Sequence, residues 1–139
     1  MSGEYYLLLW RRAERFLLRA ERDLNEGDYD GACFNSEEAL QLAVKAVLYR
    51  YFGESLRIHG SRILLARLRN LLMEAGMESE ASIISEFVSN NRVPLGILEE
   101  SYIMARYGNI TYGKSQAELC VKTAKKAFEV LRDIERGLG

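Results

Sequence analysis

From Glu4 to about Asn25, Leu9, Ala13, Phe16, Leu17, Ala20 and Leu24 recur three and four residues apart. That spacing gathers side chains on one face of an α-helix and predicts a first amphipathic helix. Asn25, Glu26 and Gly27 close it, and the side chain of Asp28 can accept from the free amides of a second helix, which runs to Phe52 with Gly53 as its stop. Within this second helix Ala32, Ser36, Ala39, Ala43 and Ala46 alternate four- and three-residue steps. Such small side chains let a neighbouring helix approach closely. A connector from Gly53 to Gly60 leads to Ser61, the expected cap of a third helix carrying Leu64, Leu65, Leu68, Leu71 and Leu72 and ending near Gly76. Ile83, Ile84, Phe87 and Val88 mark a weaker segment from Ser79 to Ser89. Asn90 to Val93 reads as a break, since proline disfavours helix at the residue before it, and Pro94 opens a helix reaching Arg106. After a loop from Tyr107 to Gly113, Ser115 and Glu118 predict a reciprocal capping box. A last helix with Ala117, Cys120, Val121, Ala124, Ala127, Phe128, Leu131 and Ile134 on one stripe follows, ending at Gly137.

The pattern predicts an all-α fold, an up-and-down helical bundle of about five helices, in one domain spanning residues 1–139. The single proline and the sparse β-branched residues leave long stretches free to be helical. Hydrophobic residues make up 48% and charged residues 28% of the chain, which excludes a disordered chain and predicts a packed core. The net charge of −1 lacks the overall basic excess of a generic nucleic-acid binder, so any phosphate-binding patch has to be local. The small-residue stripe, with the aromatic Tyr5, Tyr6 and Trp10, predicts more apolar surface than one bundle buries, and hence a homodimer.

Cys33 and Cys120 both fall in apolar helical patterns and are expected as reduced, buried thiols. Two cysteines and one histidine without metal-ligand spacing predict no metal and no cofactor. The N-terminal residues lack a basic start followed by an apolar core, and no apolar run approaches a bilayer-spanning length. The expected location is therefore the cytoplasm, with no membrane contact.

Charge is segregated around the third helix. Arg57, His59, Arg62, Arg67 and Arg69 stand together with no acid between them, while Glu74, Glu78, Glu80 and Glu86 follow. This is either an anion site at the start of that helix, where free amides and the helix dipole favour negative charge, or a solvated face paired with the neighbouring acids. His59, the one histidine, stands in a loop beside Gly60 and suits hydrogen bonding or capping better than acid-base chemistry. The segment Tyr102 to Tyr112, YIMARYGNITY, concentrates Arg106, Tyr107, Asn109 and Tyr112 where a helix ends in a glycine-containing loop. Arginine offers a bidentate fork for phosphate and tyrosine a flat face for a base. The alternative is that Arg106 caps helix carbonyls while Tyr107 anchors the loop. No nucleophile elbow or phosphate-cradling glycine loop is present in the sequence, and no catalytic residue is assigned.

Trp10, the RAERDL run from Arg19 to Leu24, GDYDGACF from Gly27 to Phe34, EEALQLAVKAVL from Glu37 to Leu48, His59, and ARYG from Ala105 to Gly108 occur in an order that resembles the HEPN domain. This small helical domain is often found beside minimal nucleotidyltransferases in prokaryotes. The resemblance covers nearly the whole chain. It implies a helical bundle, frequent homodimers, and either ribonuclease activity or a non-catalytic nucleotide-binding or partner-neutralising role in toxin and antitoxin pairs. Catalytic members carry an arginine followed four to six residues later by a histidine. Here Arg106 is followed by no histidine, and Gly108 stands where relatives have proline, so a looser loop is expected. The resemblance favours a non-catalytic protein that holds a nucleotide or RNA phosphate with Arg106, Tyr107, Asn109, His59 and Arg62, and that pairs with a nucleotidyltransferase. A ribonuclease using Arg106 and His59, or a purely structural dimeric module, is the alternative.

Overall fold

The computed structural model describes residues 2–139, which form six helices and, among these residues, no strand. They are α1 (Ser2–Glu26), α2 (Tyr29–Phe52), α3 (Ser61–Glu74), α4 (Glu78–Asn90), α5 (Arg92–Tyr107) and α6 (Lys114–Leu138). The sixth helix beyond the expected five is α4, whose weak apolar segment forms more than three turns by packing Ala81, Ile84 and Phe87 inward.

Local chemistry sets most of the boundaries. Asp28 Oδ1 accepts from the Gly31 amide at 2.9 Å and caps α2 as its sequence predicts. Gly53 ends the helix in the left-handed region at φ 67°, where its amide reaches the carbonyl of Tyr49. Two expected caps are wrong by a residue or more. Ser61 lies inside α3 and Gly60 is its cap. The Ser61 hydroxyl caps nothing, and its amide donates instead to the side chain of Glu37 at 2.9 Å. In α6 the cap is Gly113, and Gln116, not Glu118, reaches back to the cap amide at 2.9 Å, leaving Ser115 within the first turn. The break before Pro94 shrinks to Asn91. Proline is tolerated in the first turn of α5 because the amide it lacks would have no partner there.

α2 is the central element and packs against α1, α3, α5 and α6. Its stripe of Ala32, Ser36, Ala39, Ala43 and Ala46 is fully buried inside the chain, which removes it as a dimer surface. Two of the three N-terminal aromatic residues are consumed in the same way, while Tyr5 stays exposed. Trp10 is 2% and Tyr6 5% exposed, and both donate to Glu135 Oε2, Tyr6 Oη at 2.6 Å and Trp10 Nε1 at 3.1 Å, tying α1 to α6. Leu64, Leu68, Leu95, Leu98, Leu131 and Ile134 join them in one core cluster drawn from all six helices. Cys33 and Cys120 are free and buried, as expected. The neighbouring Cys33 and burial push the Cys120 thiol up, which keeps it protonated and inert. No helix among the described residues is long and apolar enough to cross a membrane.

Candidate functional site

Tyr102 and Arg106 stand four residues apart on α5, so their side chains share a face, and α2 offers Phe34 to the same place. The result is an aromatic cage around one guanidinium. The Arg106 carbon Cζ lies 4.7 Å from the Phe34 ring centroid, 4.7 Å from that of Tyr102 and 5.0 Å from that of Tyr107. Ring faces attract a cation through their quadrupole without neutralising it. Arg106 Nε donates to the Tyr102 carbonyl at 2.9 Å and Nη2 to the same oxygen, and the side chain has no acidic partner among the described residues. The carbonyl-capping role is therefore real. It satisfies one edge of the fork and leaves the charge exposed to solvent.

Tyr102 joins this cation to His59. The two rings stack with centroids 5.8 Å apart and 14° between planes, and the Tyr102 hydroxyl lies 3.4 Å from His59 Nδ1. Phe34 also stacks on Tyr102 at 5.5 Å. Burial pushes the Tyr102 phenol up, Glu38 adds to the shift and Arg106 opposes it, so the hydroxyl is a neutral hydrogen-bonding group.

Arg106, Tyr107 and His59 thus come together around Tyr102, while the other two site residues expected from sequence stand differently. Arg62 is bound to Glu99: its amide donates to Glu99 Oε2 at 3.1 Å and its Nε to Oε1. Asn109 is exposed in the loop after α5, with no hydrogen-bond partner among the described residues. Phe34 and Tyr102 are site residues that sequence reasoning passed over. The signal for Tyr102 was its four-residue spacing to Arg106; Phe34 had none, since it comes from another helix.

The loop from α5 to α6 is held by Tyr112 and not by Tyr107, which is 76% exposed. Tyr112 is buried, its amide donates to Asp30 Oδ1 at 2.7 Å, and its hydroxyl donates to Glu100 Oε1 at 2.8 Å. Gly108 does not loosen this loop. Its amide donates to the Met104 carbonyl at 3.0 Å, a bond proline could not make, and a Cβ there would stand 2.9 Å from Met104 Cα.

The expected anion site at the start of α3 is already occupied. Glu37 takes the Ser61 amide and Glu99 the Arg62 amide, so two carboxylates of the chain itself satisfy the free amides and the helix dipole. Arg67 pairs with Glu54 and not with the acids that follow α3. No group of three or more His, Cys, Asp and Glu among the described residues could hold a metal ion.

The HEPN domain family matches residues 6–134, all but the ends of the chain. The chain belongs to the HEPN domain family. A protein of Methanocaldococcus jannaschii named "Putative toxin MJ1304" is 29% identical over 140 residues, covering 94% of this chain and 88% of that protein. In HEPN terms the ARYG run supplies the exposed Arg106 and Tyr107 at the end of α5. Its glycine gives the chain room to turn back on Met104.

Proposed function

We propose that this HEPN protein is a non-catalytic member of a toxin and antitoxin pair, in which the Arg106 face binds the phosphate of a nucleotide or of RNA. The observation that carries the reading is an exposed guanidinium held over three rings with no carboxylate opposite it. Such a group keeps its charge for a ligand and offers phosphate its free Nη1 edge, while the exposed ring of Tyr107 offers a base a stacking face. The toxin name of the M. jannaschii relative supports the pairing, and the family resemblance supports a nucleotidyltransferase as the partner. The protein acts in the cytoplasm as an up-and-down bundle, and as a homodimer. The support for self-association is the outer stripe of α5, where Val93, Ile103 and Tyr107 are 70%, 54% and 76% exposed.

Calorimetric titration with nucleoside monophosphates and a short RNA tests the site. Arg106→Ala is expected to weaken binding about tenfold to a hundredfold, the cost of one or two charge-assisted hydrogen bonds, with the melting temperature nearly unchanged because the side chain is exposed. Arg106→Lys restores only part, since an ammonium lacks the fork. Unchanged affinity in Arg106→Ala would sink the reading. The ribonuclease alternative is favoured by one observation, the stacking of His59 on the ring that Arg106 also covers. Cleavage of RNA by the wild type, lost in His59→Ala, would establish it instead.

A further inference from the structure

Three guanidiniums converge on the cleft between α3 and α4, away from the cage. Arg62, Ala66 and Arg69 line it from α3 at helical spacing, Ser85 and Ser89 from α4, and Arg92 closes it at the start of α5, around a space of about 380 Å³. Ile84 and Val88 form an apolar floor, and no lining residue is acidic. Arg69 is held by neutral partners only, Ser85 Oγ at 2.8 Å and Asn70 Oδ1 at 3.2 Å. Arg92 is exposed with no partner among the described residues, and the first amides of α5 beside it carry no side-chain cap. Arg62 alone is neutralised, by Glu99.

Helical spacing along α5 aligns the cleft with the Arg106 face. Arg92, Glu99 and Arg106 lie seven residues apart along α5 and therefore on one side of it, so Arg92 and Arg106 are separated by about 20 Å along the axis. Arg62, bound to Glu99, stands between them. Free cations at both ends of that length, Arg69 and Arg92 at one and Arg106 at the other, fit a chain of phosphates better than one phosphoryl group. The rings gathered at one end, with a cationic groove leading away, are the arrangement that holds single strands.

We propose that the α3–α4 cleft binds the backbone of single-stranded nucleic acid, extending toward Arg92 and Arg69 a strand whose other end lies at Arg106. This rests on the reading of Arg106 as a phosphate site, and the probes separate the two. Uridine monophosphate reports on the Arg106 face alone, and an oligo(U) of about ten nucleotides reports on the whole track. The Arg69→Gln/Arg92→Gln variant is expected to bind oligo(U) about tenfold more weakly at low salt. The slope of log affinity against log salt should fall by about 1.4, two phosphate contacts at roughly 0.7 each. Binding of the monophosphate should not change. Ser89→Glu, which leaves both arginines in place and sets a carboxylate in the cleft, should weaken oligo(U) likewise. Wild-type affinity and slope for oligo(U) in both variants would overturn the inference, as would failure of the wild type to bind oligo(U) while it binds the monophosphate. Loss of oligo(U) binding in both variants upholds the cleft whatever Arg106→Ala does to the monophosphate.

Discussion

Glu37 is fully buried on α2, where Oε2 accepts from the Ser61 amide and from Gln41 Nε2, each at 2.9 Å, and Oε1 has no partner. Burial pushes its carboxyl up to about 7, partly offset by those two bonds. A carboxyl raised in the folded state contributes stability that is complete below its ordinary value near 4.5. That contribution is lost as pH rises toward 7, because there the unfolded chain ionises and the folded one does not. Wild type is therefore expected to lose up to about 3 kcal/mol between about pH 4.5 and pH 7 relative to Glu37→Gln, which has no such proton to release. Urea melts of both proteins across that interval check this, and parallel pH profiles would show that Glu37 does not titrate there. The contrast with Asp28 explains what the sequence could disclose at this scale. Asp28 caps an amide three residues away, so its role is visible in a short window. Glu37 and Glu99 cap α3 from 24 and 37 residues away, and nothing in the spacing of Ser61 or Arg62 points to them.

At the scale of elements, long periodic stretches were legible and junctions were not. α1 and α6 each carry many turns of one apolar stripe, and α2 is buried on most of its sides between a side-chain cap and a glycine stop, so the boundaries of all three agree with the pattern to within a few residues. α4 buries only Ala81, Ile84 and Phe87, a signal too short to separate a helix from an irregular segment without its neighbours α3, α5 and α6. The aromatic cage needed contacts between α2 and α5, so Arg106 and Tyr107 could be singled out while Phe34 could not. The α5–α6 loop depends on the close return at Gly108. Gly108→Ala would force Cβ against Met104 Cα at 2.9 Å and its carbonyl oxygen at 3.0 Å. A cost of about 1 to 3 kcal/mol in stability is expected. Because the strain falls two residues after Arg106, nucleotide affinity should drop with it. A variant with unchanged denaturation midpoint and affinity would show that the loop relaxes freely.

At the scale of the whole molecule, the reason first visible for self-association no longer applies, since the small-residue stripe of α2 covers the chain's own core. Among the apolar side chains that remain outward, α5 carries Val93, Ile103 and Tyr107 on one side. Light scattering is expected to give a dimer mass for the wild type and a monomer mass for Ile103→Asp, which sets a charge in that stripe without touching the core. A wild-type monomer would remove the homodimer from the proposed function while leaving the Arg106 site as it stands. The family was readable from the order of short motifs along the chain, because that order reflects which helices must pack. Cationic residues were readable only as a cluster, and their division among Glu99, Glu54 and Ser85 came from packing between helices distant in sequence.

The seam between α1 and α6 has an optical consequence. The protein contains one tryptophan, and that indole lies beneath the Arg132 guanidinium at 3.7 Å, edge-on to Phe128 at 5.4 Å, with its N–H on Glu135. Light absorbed at the red edge of the aromatic band is taken up by Trp10 alone, shielded from aqueous quenchers and beside a fixed positive charge. Its emission is thus a built-in gauge of whether the first and last helices are docked. Neither Trp10 nor any of its partners belongs to the Arg106 face, so a ligand arriving there can be titrated by other means while this single chromophore independently reports that the bundle is intact.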